Sequence, residues 1–248
     1  MAIVGTARGT GSGGALPSSP DTTATVAPSA NFAAGSWGVL RISYDNSGAL
    51  GIDPFVSCTD TKGNVWTSRV AGLYDPAGAN EGICVRIFTT NQGIGTLTTG
   101  DTITVTVAPG VAYAITLMEV TGTNLAYVTG GVNTGANTAS PSVTTPSIAS
   151  GHAIFGAGAA EFTGDWTGDA DTLNGTWSTQ VTLGTSDNGD GDVCITTQHK
   201  IVNAAGAQTY NPTISPAADC ILAWIELEEA AGGQAPRSMN QFRKRRAA

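Results

Sequence analysis

The residues best suited to chemistry in this chain are scattered carboxylates, two histidines and four cysteines, and their spacing decides little in favour of catalysis. Asp187, Asp190 and Asp192 crowd three carboxylates into the run DNGDGD, an oxygen-rich set that suits a hard cation such as calcium. The spacing misses the EF-hand loop and lacks its closing bidentate Glu, so ordinary Asp/Asn/Gly turn chemistry competes with the metal reading. Asp165, Asp169 and Asp171 in GDWTGDAD form a second acidic loop with the same ambiguity. Glu119, Glu161, Glu226 and Glu228 could supply a pair of glycosidase carboxyls, but that chemistry needs two facing one cleft, and the sequence marks no pair. His152 and His199 fall in strand patterns, away from any nucleophile motif. Cys58, Cys84, Cys194 and Cys220 show no CxxC or Cys/His spacing, so zinc is not expected. Gly9–Gly14 looks like a phosphate loop but feeds no helix. The expectation is a protein that is not an enzyme and carries no resident cofactor, with calcium at Asp187, Asp190 and Asp192 as the metal reading to check.

The elements that must position these residues are strands. Ile103, Val105 and Val107 alternate with Thr102, Thr104 and Thr106, the period of a half-buried strand. Thr, Val, Ala, Ser and Gly dominate, and no window supports a good amphipathic helix. Ten to twelve strands are expected on this pattern, separated by Gly, Pro, Asn and Asp breakers. Phe55–Val70 reads as a β-hairpin turning at Asp60–Asn64. Thr123–Pro141 reads as a long crossover between halves. The fold class expected is all-β: a two-sheet antiparallel β-sandwich of jelly-roll type, with an extended N-terminal arm and a C-terminal tail. The divisions are residues 1–21 as arm, 22–229 as one sandwich domain and 230–248 as basic tail. Trp37, Trp66, Trp166, Trp177 and Trp224 are spread along the chain, which suits core packing better than a sugar-stacking platform. The cysteines, inside strands, are expected as buried free thiols.

Charge is divided sharply. All nineteen acidic residues and six of the eleven basic ones lie before residue 230, a net −13, while five basic residues crowd Arg237–Arg246. An acidic body argues against nucleic acid lying along it. Arg237, Phe242, Arg243, Lys244, Arg245 and Arg246 are the candidate partner-binding anchor. No apolar run is long enough to span a membrane and no secretory signal is recognised, so synthesis in a bacterial cytoplasm is expected.

The succession VSCTDTKGNVWT, ICVRIFTT, DTITVTVAPGVAYAITLMEVTG, PSVTTPSIASGHAIFGAGA and CILAWIELE resembles a jelly-roll domain of bacteriophage virion proteins and some bacterial surface proteins. Its anchor is Asp60-x-x-Gly63-Asn64-x-Trp66. The resemblance implies no shared catalytic residues. It implies a capsid decoration or minor capsid protein attached to the virion through its termini, with a tail appendage or glycan-binding receptor protein as the alternative. The partners implied are the major capsid protein or other virion subunits and further copies of the chain, with no membrane and no sequence-specific nucleic acid.

Overall fold

The computed structural model describes residues 2–13, 22–45, 53, 55–75, 82–91, 95–107, 112–161, 164–185 and 192–230. All regular structure among them is antiparallel strand. One five-stranded sheet has the order β1 (Val4–Gly13), β8 (Tyr113–Thr121), β3 (Trp37–Asp45), β6 (Ile83–Thr90), β5 (Thr67–Tyr74). A three-stranded sheet of β2 (Thr23–Val26), β7 (Ile103–Val107) and β4 (Phe55–Asp60) covers one face of it. A second five-stranded sheet has the order β9 (Leu125–Thr138), β17 (Ala218–Glu229), β11 (Ala153–Glu161), β14 (Val193–Ile201), β13 (Val181–Gly184). Its outer face carries two short ribbons, β10 (Val143–Ile148) with β15 (Gly206–Tyr210), and β12 (Asp165–Thr167) with β16 (Thr213–Ser215).

The two five-stranded sheets pack on each other through Val39, Ile83, Val85, Ile87, Val120, Phe155, Ile195, Ile221 and Ile225, all buried. The result is four layers, outer–inner–inner–outer. This explains why β3, β8, β11 and β14 are buried almost end to end rather than on alternate residues: each inner sheet is covered on both faces. β7, in an outer layer, keeps the alternation its sequence announces, with Ile103, Val105 and Val107 buried and the threonines half-buried.

The two inner sheets have one strand order. Position by position, β1-β8-β3-β6-β5 corresponds to β9-β17-β11-β14-β13, so the body is one arrangement built twice, from Val4–Thr121 and Leu125–Glu229. Local details repeat as well. The turn into β3 bonds Ser36 N–H to Ala33 C=O at 3.2 Å, and the turn into β11 bonds His152 N–H to Ala149 C=O at 3.4 Å. Both turns pass through a left-handed glycine, Gly35 at φ 77° and Gly151 at φ 88°, where a side chain would be strained. Asp60-Thr61-Lys62-Gly63-Asn64-Val65-Trp66-Thr67-Ser68-Arg69-Val70 returns as Asp171-Thr172-Leu173-Asn174-Gly175-Thr176-Trp177-Ser178-Thr179-Gln180-Val181. The left-handed turn residue is Gly63 in the first and Asn174 in the second.

Several expectations are corrected here. The described part of the N-terminal arm, Val4–Gly13, is an inner-sheet strand paired along its length with β8. Thr123–Pro141 holds a fourteen-residue edge strand, β9. Asp60–Asn64 does not close a hairpin: β4 pairs with β7, and β5 pairs with β6 in the other layer, so the turn is an arch between two sheets. In place of the two sheets expected, the described strands form five antiparallel sheets, two of them five-stranded.

Candidate functional site

Asp60 organises the first arch. One of its carboxylate oxygens accepts the backbone N–H of Lys62 (2.9 Å) and of Asn64 (3.1 Å). The other accepts Asn64 Nδ2–H (3.0 Å) and Trp66 Nε1–H (2.9 Å). Asn64 then ties the arch to Gly95, donating to its C=O at 2.8 Å and accepting its N–H at 3.1 Å. Asp101 braces the same loops: it accepts Thr61 Oγ1–H at 2.7 Å, and Thr98 N–H and Oγ1–H at 2.8 and 2.7 Å. The Thr61 bond, with those from Thr98 and the charge of Lys62, outweighs burial and holds the Asp101 carboxyl down at about 2. The Asp-x-x-Gly-Asn-x-Trp anchor is thus a loop-stapling device in which every acceptor is used to fold the arch.

The second arch keeps the aspartate and the tryptophan but changes their partners. Asp171 accepts Leu173 N–H at 2.8 Å, as Asp60 does Lys62, while its other oxygen meets Lys200 Nζ at 3.3 Å. Lys200 is fully buried, donates to Leu173 C=O at 2.5 Å and lies 5.5 Å from the centre of the Trp177 ring. Burial pushes the Asp171 carboxyl up, but the Leu173 N–H and Lys200 prevail and its pKa is lowered. Asp169 accepts the N–H of Asp171 (2.7 Å) and of Asn211 (2.9 Å). In the GDWTGDAD loop, Asp169 and Asp171 therefore use their carboxylates on backbone donors and a buried lysine. Asp192 accepts Thr185 Oγ1–H at 3.0 Å, while Asp187 and Asp190 lie outside the described residues. Among the described residues no group of three or more His, Cys, Asp or Glu side chains is placed to hold a metal.

The four glutamates do not share a cleft. Met118, Val120, Ile225 and Leu227 point into the inter-sheet core, so Glu119 and Glu226, between them, point outward from different sheets. Glu119 clamps Arg8 (Nε at 2.7 Å, and Nη2) and the N–H of Ala33. Glu161 accepts Gly82 N–H at 3.1 Å, joining the two halves. Glu226 and Glu228 flank His152, at 2.5 Å from Nδ1 and 3.5 Å from Nε2. Glu119 and Glu226 occupy the same place in the two copies, each tied to the turn that enters the central strand. This is positioning chemistry.

The remaining histidine borders an open cleft of about 340 Å³ lined by Gly175, Thr176, Ser178, His199, Ile201 and Asn203. The two copies differ beside this cleft. In the first, Arg69 donates Nε–H to Thr89 Oγ1 at 2.8 Å and stacks on Tyr127 at 4.6 Å. In the second, His199 stands for Thr89, Gln180 for Arg69 and Gly5 for Tyr127. A Cβ on Gly5 would sit 3.0 Å from His199 Nε2. Ser178 Oγ accepts the backbone N–H of His199 (3.0 Å), so serine and imidazole form no nucleophile–base pair. Burial, and then the charge of Arg41, lower the His199 pKa to about 4, which makes it a poor proton acceptor at neutral pH. The cleft offers hydroxyl, amide and neutral imidazole groups for hydrogen bonding.

The cysteines are free thiols. Cys194 and Cys220 pair with opposite sides of Ala160, so a whole strand separates them, too far for a disulfide. Burial pushes the Cys220 thiol up to about 12. Trp66, Trp166, Trp177 and Trp224 are buried and Trp37 packs against the core, as core tryptophans should. The anchor residues Arg237, Phe242, Arg243, Lys244, Arg245 and Arg246 lie outside the described residues. Sequence reasoning missed the cleft and the duplication; the repeated Asp-Thr-x₄-Trp run was the signal for the second. No family model, no curated protein and no solved structure matches this chain.

Proposed function

We propose that this chain is a non-enzymatic structural protein of a bacteriophage particle, a capsid decoration or minor capsid protein whose body is two jelly-roll units in tandem. The observation that carries the reading is the strand order. A jelly roll interleaves eight strands so that the first, eighth, third and sixth share one sheet and the second, seventh, fourth and fifth share the other. The orders β1-β8-β3-β6 and β2-β7-β4 follow that scheme, with β5 shifted to the edge beside β6, and the inner sheet of the second half repeats it. The use of Asp60, Asp101, Asp169, Asp171, Glu119 and Glu226 in stapling loops agrees with a scaffold role. Because Val4–Gly13 is built into a sheet, attachment falls to the C-terminal tail, whose +5 charge complements acidic capsid neighbours.

Deleting Pro236–Ala248 tests the attachment. The truncated protein is expected to melt at the wild-type temperature and to be lost from purified particles; incorporation at the wild-type level would overturn the tail-anchor reading. The alternative, a tail appendage that contacts a host glycan, is favoured by the hydroxyl and amide lining of the cleft at Ser178 and Asn203. A glycan array probed with the full chain and with His199→Leu separates the two readings, since only the second requires binding that the variant loses.

A further inference from the structure

A positive charge is sealed between the two halves. Arg41 projects from the centre of β3 into the inter-sheet core and is 1% exposed. Its Nη1 donates to the C=O of Gly156 (3.1 Å) and of Gln198 (3.2 Å), and its Nη2 lies 3.7 Å from Met118 Sδ. Neutral acceptors are thus its partners, and burial lowers its pKa to about 10, an effect only partly offset by the phenol of Tyr210. Tyr210 cannot serve as the counter-charge, because burial pushes its own pKa well up and keeps it protonated. A buried guanidinium without an anion is costly to hold.

Unpartnered donors lie on the strands around Arg41. Thr116 is the direct cross-strand partner of Arg41, and Ser43 is the next inward residue on β3. Both are buried, at 2% and 0% exposure. Arg41 Nε, Thr116 Oγ1, Ser43 Oγ and His199 Nδ1 are buried and have no hydrogen-bond partner. Each of the four can donate a hydrogen. The second inner sheet contributes Ala153, Ala157 and Ala159, small side chains, to the same core. Buried donors without acceptors, gathered beside an unneutralised cation, describe the lining of an anion site.

We propose that the interface between the two halves binds one small monovalent inorganic anion of halide size, held by Arg41 Nε–H and the hydroxyls of Thr116 and Ser43, with His199 Nδ1–H as a further donor. The anion neutralises the guanidinium and fastens the first sheet to the second. It is a structural ligand, so its binding is read as stability.

Thermal unfolding of the full chain in sodium chloride, bromide or gluconate at fixed ionic strength tests this. Gluconate is too large for the site. The melting temperature is expected to rise with chloride and with bromide as gluconate is replaced, and the rise to vanish in Thr116→Val/Ser43→Ala and in Arg41→Met. Crystals grown in bromide provide a readout that needs no variant: an anomalous peak within hydrogen-bond distance of Arg41 Nε and Thr116 Oγ1. Equal melting temperatures in all three salts, or a bromide crystal with water at that position, would overturn the proposal.

Discussion

At the residue scale, the side chains that looked reactive are the ones that hold loops in place. Asp60 shows why: four hydrogen bonds, two of them to backbone N–H, converge on one carboxylate and fix an arch that no regular ladder supports. Asp60→Ala leaves those donors unpaired and is expected to cost about 2–3 kcal/mol in a urea melt, with Asp60→Asn costing less because it keeps part of the acceptor set. His199 makes a second prediction. Its pKa is lowered from 6.5 to about 4 in the folded protein, so the unfolded chain takes up a proton first as pH falls. Its contribution is full above pH 6.5 and is lost between there and pH 4, on the order of 3 kcal/mol. His199→Gln should remove that part of the pH dependence; an unchanged profile would contradict the assignment. The sequence made these residues visible as types, and the Asp60–Trp66 spacing even marked a turn. It could not show that Asp171 turns to Lys200, because that contact joins residues twenty-nine apart through the fold.

At the element scale, alternation marks β7, and apolar runs in the sequence coincide with β3, β6, β8, β11, β14 and β17. The misses have a common cause. Val4–Gly13 and Leu125–Thr138 are edge strands rich in Gly, Thr and Asn, half-exposed along most of their length, so neither carries the apolar signal that marks a strand. Their glycines instead allow close approach: a Cβ at Gly130 would meet Val70 Cγ2 at 2.5 Å and Trp224 C=O at 2.7 Å. The sequence of the arch at Asp60–Asn64 reads as a hairpin because turn chemistry is local, whereas the choice of partner strand depends on distant residues. Removing residues 2–13 separates a strand from an arm. Loss of the strand uncovers the edge of β8 and breaks the Arg8–Glu119 clamp, so the truncated protein is expected to lose its cooperative melt or aggregate. An unaltered melting temperature would return this segment to the status of an arm.

At the scale of the whole molecule, two copies of one strand order meet through their larger sheets, and the differences between the copies are where specific properties arise. Arg69 stacks on Tyr127 in one copy, while in the other His199 packs close to Gly5 and borders a cleft. Arg41 sits in the shared core where β11, its counterpart strand, carries alanine. An all-β body was evident from composition and periodicity. Its duplication was carried by one short run, Asp60–Val70 and Asp171–Val181, whose glycine and asparagine have exchanged places. The central claim is that this scaffold belongs to a phage particle as a structural component. Quantitative mass spectrometry of purified particles tests it most directly: the account predicts the chain at tens to hundreds of copies per particle, in fixed ratio to the major capsid protein. Its absence from particles that are otherwise complete would contradict the account.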